Sequence, residues 1–191
     1  MKTKRAIFWL ILLIFGFGGL LPTSSRAGSL MRAINPKASD ESEVRSAVQH
    51  IFDQLKGGQY EALYDSLPSS SRARISRERL VKGLQGTRNL YQLERIEIGA
   101  VRVSGNLAVV DTVMYAHIAK PFDADGKLVV QQYLVREEGG WRMATGDTAT
   151  INRFLKSNPV FARKFPIKRT RAYIKQDGQW VEFSARRPQR K

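Results

Sequence analysis

Cysteine is absent from this chain of 191 residues, and histidine occurs only twice. Without cysteine the protein can form no disulfide, carry no lipid on a cysteine and use no thiolate in catalysis. Two histidines without cysteine do not make the ligand cluster of a zinc site, so the sequence predicts no metal and no cofactor. With 42% hydrophobic and 26% charged residues, the composition indicates a globular domain that is held together by its apolar core.

Acidic residues are scarce relative to basic ones, 17 against 32, which leaves a formal net charge of +15. Such an excess favours anionic partners, here lipid headgroups or cell-wall polymers, whereas no nucleic-acid-binding motif accompanies it. The basic residues of interest form two groups that are candidates for surface binding, the alternative being ordinary solvated charge. They are Arg72, Arg74, Arg77, Arg79 and Lys82, and nearer the C-terminus Arg163, Lys164, Lys168, Arg169, Arg171 and Lys175.

The first residues have the layout of a secretory signal. Basic residues within positions 2–5 precede an apolar and glycine run of sixteen residues at 6–21, and Ser-Arg-Ala at 25–27 offers a cleavage site. Residues 1–27 are therefore predicted to be a signal peptide. The alternative is a retained membrane anchor, although a span needs ~20 residues. Either interpretation places the domain in the periplasm or outside the cell, anchored to the inner membrane in the second case.

Periodicity predicts helices first and an antiparallel meander afterwards. After a linker at 28–38, helices are predicted at DESEVRSAVQHIFDQLK, at QYEALYDSL and from Ser76 to Gln85. Alternating β-branched segments then predict strands over Leu93–Val103, Leu107–Ala119, Lys127–Arg136 and Trp141–Ala144. The fold class is therefore α+β, with N-terminal helices packed on a curved antiparallel sheet, and the domain is expected to span residues 39–147.

An extension follows this domain at 148–185. It is predicted to contain a helix at TINRFLKSN and a hairpin that pairs Ala172–Lys175 with Trp180–Phe183. The hairpin segment YIKQDGQW repeats the pattern of LVREEGGW, and we interpret both as the same hairpin solution rather than a duplication, because their flanks do not align. The extension is expected to cover the mouth of the domain or to mediate assembly. The basic residues at 186–191 are predicted to be disordered.

Three segments of the sequence, VRSAVQHIFDQLKGGQYEALYDSL, GNLAVVDTVMYAH and YLVREEGGWRM, resemble the nuclear transport factor 2-like superfamily, also called the cystatin-like cone. The resemblance covers roughly residues 40–147. The sequence resembles uncharacterised bacterial exported members of the superfamily more than its enzymes. It implies a sheet that bends around the helices and leaves a conical pocket. Relatives use this fold for ligand binding, catalysis or oligomerisation, and the sheet face commonly forms dimers, so a homodimer is a possible partner arrangement.

Asp111, Tyr115 and His117 are the candidate catalytic residues. Alternation places all three on one face of a strand, and some relatives are isomerases or dehydratases with an Asp or His base and Tyr donors. A buried Asp111 could remove a proton next to a carbonyl. The alternative is that these are solvated or paired polar residues.

Other polar residues have simpler interpretations. His50 is expected on a helix surface. Asp123 and Asp125 before Gly126 are interpreted as a turn, since the downstream glutamate of a calcium loop is missing. Tyr60 and Tyr64 are expected in the core.

Three functional hypotheses follow from the sequence. The leading one is a non-enzymatic exported domain that binds a protein or a small apolar ligand at the cell envelope. The second is a small isomerase- or lyase-like enzyme that uses the Asp/Tyr/His set in the cone. The third is a membrane-anchored scaffold subunit of an envelope complex.

Overall fold

The computed structural model describes residues 38–144 and 148–183. The predicted signal or anchor at 1–27, all but the last residue of the linker and the predicted disordered tail at 186–191 lie outside the described residues.

Four helices precede the sheet: α1 (Ala38–Lys56), α2 (Tyr60–Asp65), α3 (Ser69–Arg72) and α4 (Arg77–Thr87). Three of them occupy the predicted segments, while α3 is a single turn that the sequence did not indicate. The α1–α2 break falls at Gly58, whose φ of 71° suits glycine. Helix α4 begins after Ser76, whose side chain accepts a hydrogen bond from the backbone N–H of Arg79.

Six antiparallel strands form one sheet: β1 (Tyr91–Ser104), β2 (Leu107–Ile118), β3 (Ala124–Glu137), β4 (Gly140–Met143), β5 (Arg171–Gln176) and β6 (Gln179–Glu182). Their order is β1-β2-β3-β5-β6, and β4 pairs with β3 near its C-terminal end. The C-terminal hairpin thus extends the same sheet, because β5 pairs with residues 126–129 of β3. The predicted α+β architecture is confirmed.

Strand β3 begins earlier than the predicted Lys127. Gly126, which the sequence placed in a turn, is a strand residue paired with Ala116 and Ile174. A Cβ at this position would lie 2.6 Å from Ile118 Cδ1, so any larger residue would force the Ile118 side chain to move.

The helical side of the sheet, here called the inner face, carries the even-numbered residues of β2. Val44 and Val48 of α1 pack against Val110 of β2 and Leu134 of β3, and all four side chains are fully buried. Further along the strand, Phe52 packs against Met114 and Val130. This layer is the main apolar core and follows from the helical spacing of the apolar residues in α1.

The opposite side, here called the outer face, is covered in part by the extension. Helices α5 (Thr148–Ser157) and α6 (Pro159–Lys164) bury Leu155 and Phe161 against Val109 and Tyr133. This explains why both faces of β2 are apolar. The expectation that the extension covers the mouth of the cone is wrong, because its helices pack on the far side of the sheet from α1.

The two hairpins with similar sequences have the same backbone geometry. Their turn residues, Glu138-Gly139 and Asp177-Gly178, all have positive φ, between 48° and 79°, which is typical of a type I′ turn. The likeness extends to the strands, because a basic residue faces each tryptophan. Arg136 pairs with Trp141, its guanidinium 4.6 Å from the ring centroid, and Lys175 pairs with Trp180 at 5.9 Å.

Within residues 38–144 and 148–183, none of the helices is long and apolar enough to cross a membrane.

Candidate functional site

A cavity of about 90 Å³ lies between the inner face and helices α1, α2 and α4. Its wall is apolar, with Ile51 and Phe52 from α1, Leu84 from α4 and Met114 from β2 among the lining side chains. The pleat places these β2 and β3 residues on one side of the sheet, and the amphipathic helices supply the other wall. The polar side chains that line the cavity are Ser66 and Gln132.

Gln132 is only 2% exposed and holds a fixed orientation. Its Nε2 donates to Thr112 Oγ1 at 3.4 Å, and the Thr112 hydroxyl donates to the carbonyl of Val130 at 3.0 Å. Because the single hydroxyl proton goes to Val130, Thr112 offers Gln132 an acceptor, and this assigns the amide nitrogen to the Thr112 side. The other amide atom, Oε1, is buried and accepts no hydrogen bond from the described residues.

Ser66 differs from Gln132 because its hydroxyl already forms hydrogen bonds within the protein. Ser66 Oγ donates to Gln54 Oε1 at 3.2 Å and lies 3.4 Å from the carbonyl of Ala62. Leaving a buried acceptor unpaired costs about 1–3 kcal/mol. Gln132 Oε1 is therefore the atom in this cavity with most to gain from a ligand that donates a hydrogen bond.

Asp111, the predicted base, lies on the outer face and is fully engaged. Its carboxylate accepts hydrogen bonds from Arg102 at 2.7 Å, Lys168 at 2.8 Å and Gln131 at 3.3 Å. The hydrogen bond from Arg102 is the main cause that holds the pKa of Asp111 far below its usual value, despite partial burial. A carboxylate so stabilised as an anion is a poor proton acceptor near neutral pH.

Tyr115 and His117 have their own partners further along β2. Tyr115 donates to Glu97 at 3.2 Å, and the guanidinium of Arg95 lies 3.5 Å from the centre of its ring. His117 Nε2 lies 3.0 Å from an oxygen of Asp123. The hypothesis that Asp111, Tyr115 and His117 act in the cone is therefore not supported, since all three lie on the face away from the cavity.

The other polar residues that the sequence analysis considered lie outside any candidate catalytic arrangement. His50 is exposed on α1, and its Nε2 lies 2.9 Å from Gln54 Nε2. Tyr60 is 8% exposed, while Tyr64 is half-buried and donates to the carbonyl of Arg72 at 3.2 Å. Asp125 is a β3 residue rather than a turn residue. Across the described ranges, no three His, Cys, Asp or Glu side chains come together as a metal site requires.

The first group of basic residues is largely balanced by acids. Arg77 forms an ion pair with Asp65 at 2.6 Å and stacks on Tyr64, while Arg72 lies 3.7 Å from Glu138. The Arg77 hydrogen bond lowers the pKa of Asp65. Over residues 38–144 there are fourteen basic and fourteen acidic side chains, so this part of the fold is formally neutral.

The second group of basic residues lies in the extension and is not balanced. Residues 148–183 hold eight basic and two acidic side chains, an excess of six. Arg163, Lys164 and Arg169 are exposed. Lys168 differs because its ammonium is bound to Asp111. The structure therefore separates the candidate surface residues into a first group that is largely neutralised and a second group that is cationic apart from Lys168.

Sequence reasoning missed Gln132. The available signal was the pair Gln131-Gln132 in the middle of the segment LVVQQYLV, where polar residues interrupt an apolar central strand. Alternation sends the two side chains to opposite faces. Gln131 binds the outer-face carboxylate of Asp111, and Gln132 lines the inner cavity.

Solved structures that are similar to part of the chain include the following three. A domain of unknown function with a cystatin-like fold from Nostoc punctiforme is 17% identical over 64% of this chain and 86% of its own, with a TM-score of 0.42. The protein Aln2 from a Streptomyces species is 11% identical over 62% and 98%, with a TM-score of 0.42. An LEH-like epoxide hydrolase from M. tuberculosis is 14% identical over 65% and 98%, with a TM-score of 0.39.

These likenesses concern the fold at low identity, and no conclusion about ligand or activity follows from them. No protein-family model matches the chain, and no curated protein matches it.

Proposed function

We propose that this protein is a non-enzymatic binding domain of the cell envelope that holds a small, mostly apolar molecule in the inner cavity. The observation that carries the proposal is Gln132, which lines a mostly apolar cavity and whose buried Oε1 has no partner in the described structure. Binding sites commonly combine an apolar lining with a few placed polar groups. A hydroxyl or N–H on the ligand would satisfy Gln132 while its carbon atoms contact the wall.

The volume limits what can enter. An apolar cavity of about 150 Å³ holds benzene, whereas this one has about 90 Å³. In the same proportion, about four non-hydrogen atoms fit. The ligand is therefore a short alkyl group with one donor, or the end of a longer molecule.

The location at the envelope is supported by the signal-like residues 1–27. A mature N-terminus at Gly28, measured by mass spectrometry of the native protein, supports cleavage and excludes the anchored scaffold. The enzyme alternative has less support, because Asp111 is held as a paired anion on the outer face.

The test compares two molecules of nearly the same size. 1-Propanol and ethyl methyl ether each carry three carbons and one oxygen, but only the alcohol donates a hydrogen bond. Methyl NMR titrations should show saturable shifts at Ile51 and Leu84, which line the cavity, and none at the exposed Ile167. We expect the alcohol to bind about three- to tenfold more tightly, since one hydrogen bond contributes about 0.5–1.5 kcal/mol.

The matched variant is Gln132→Met, which keeps the side-chain length and removes the acceptor. In this variant the alcohol and the ether should bind equally. If neither molecule shifts the lining methyl groups saturably in the unaltered protein, the cavity is not a ligand site. If the variant keeps the preference for the alcohol, Gln132 is not the anchor.

A further inference from the structure

The exposed apolar residues of the fold coincide with its excess positive charge. Among the described residues, the large apolar side chains that are exposed are Val160, Ile167 and Val181, at 68%, 60% and 44%. All three belong to the extension, which carries the excess of six positive charges, while residues 38–144 are neutral. Val160 and Ile167 lie at either end of the segment that contains Arg163 and Lys164.

The orientation of helix α6 is set by the burial of Phe161 on the outer face. Phe161 is 4% exposed in the outer-face cluster, and its ring packs edge-on against Phe165 with centroids 4.9 Å apart. With Phe161 directed to the sheet, Val160, Arg163 and Lys164 are left on the solvent side of the short helix. Val160 is exposed because the adjacent Phe161 occupies the side of the helix that faces the sheet.

The exposure of Ile167 is fixed in a similar way. The next residue, Lys168, donates its backbone N–H to Gln131 Oε1 at 2.7 Å, and its ammonium donates to Asp111 at 2.8 Å. These two hydrogen bonds fasten the segment between α6 and β5 to the outer face. Ile167 therefore belongs to a segment that is fixed to the sheet, two residues before the exposed Arg169.

We propose that this layer, formed by Val160, Arg163, Lys164, Ile167 and Arg169, docks on an anionic lipid bilayer. Basic residues near such a surface are attracted by its negative potential, and exposed apolar side chains beside them in the chain can enter the boundary between headgroups and acyl chains. A soluble polyanion would satisfy the charges but leave Val160 and Ile167 in water. The combination of both features therefore favours a lipid surface.

The experiment measures co-sedimentation with vesicles. The chain from Gly28 onward is used, which is the mature protein if the signal is cleaved and which contains every described helix and strand. We expect binding to phosphatidylcholine vesicles that contain phosphatidylglycerol, weaker binding as salt is raised, and little binding to phosphatidylcholine alone.

Two variants separate the contributions of charge and apolar contact. Arg163→Gln/Lys164→Gln/Arg169→Gln should weaken binding to anionic vesicles roughly a hundredfold, because each basic residue near the surface contributes about a factor of five. Val160→Ser/Ile167→Ser should weaken it about tenfold. All five side chains are exposed, so thermal melts should match those of the unaltered protein.

The matched control is Lys82→Gln/Arg88→Gln/Lys120→Gln, which removes three exposed charges from the neutral part of the fold. It should bind almost as the unaltered protein does. An equal loss in this control would overturn the proposal, because net charge alone would then explain binding. So would unchanged vesicle binding by the Val160/Ile167 variant, which would indicate a charge-only surface for soluble polyanions. Absence of vesicle binding by the unaltered protein would also reject it.

Discussion

Around Asp111 three donors meet one carboxylate, and they come from three separate parts of the chain. Arg102 is on β1, Gln131 is on β3, and Lys168 is in the segment that leads to β5. The side chain is 27% exposed, so water screens these interactions only in part. Asp111 therefore joins the extension to the sheet.

We expect Asp111→Asn to lower the free energy of unfolding by about 2 kcal/mol at pH 7, because the donors lose a charged acceptor. In the folded state the pKa of Asp111 is lowered, so its contribution is fully present above the unfolded-state pKa, about 3.9. That contribution is lost as the pH falls toward the folded pKa. The difference between the variant and the unaltered protein in urea denaturation should therefore narrow below about pH 4.

The control for this measurement is Asp177→Asn, at an exposed turn residue with a φ of 48° that asparagine adopts equally well. It should leave stability unchanged. A difference between Asp111→Asn and the unaltered protein that persists undiminished at low pH would mean that the ionised carboxylate is not the cause.

The sequence does not predict which face of the sheet the Gln132 side chain lies on. The tandem glutamines of LVVQQYLV identify a polar interruption, but both faces of β2 and β3 are apolar. The pattern therefore does not say which face lies against α1. That choice depends on Leu155 and Phe161, which cover Val109 and Tyr133 from another part of the chain.

At the scale of elements, long periodic segments were predictable and short ones were not. Helices α1 and α4 and strands β1–β3 follow from apolar spacing. Helix α3 consists of Ser-Ser-Ser-Arg, whose serines have weak helix propensity. Helix α6 has a proline at its first position, a usual helix start, but no helix was predicted there.

Helix α6 provides a test of whether the extension is part of the cooperative fold. Phe161→Ala should lower the free energy of unfolding by about 3–5 kcal/mol, because it opens a cavity in the outer-face cluster. Chemical denaturation should show one transition shifted to lower denaturant. Val160→Ala, one residue away and 68% exposed, should change stability by less than about 0.5 kcal/mol.

A second transition at low denaturant in the Phe161→Ala protein, with the main transition unmoved, would contradict this expectation. It would show that α5 and α6 unfold independently of the sheet.

For the molecule as a whole, the sheet needs both layers. A chain that ends at residue 147 would expose Val109 and Tyr133 and leave residues 126–129 of β3 as an unpaired edge. We expect this shortened protein to lose about 3–6 kcal/mol of stability, from two large side chains that are no longer buried. Light scattering should also show concentration-dependent aggregation.

A chain that ends at residue 183 is the matched control, since it keeps all described helices and strands. It should unfold at the same denaturant concentration as the full chain. A stable monomer ending at residue 147 would show that the inner core alone supports the fold.

Within residues 38–144 and 148–183 the excess positive charge lies in the extension, which makes this part of the chain an electric dipole across its sheet. The positive end is the outer layer, and the neutral end contains α1 and α4. Near a negatively charged surface, such a molecule rotates before contact, because the electric field acts on its dipole as well as on its net charge. The outer layer would arrive first, and the side that contains the cavity would then point to the water, open to molecules that diffuse past the surface.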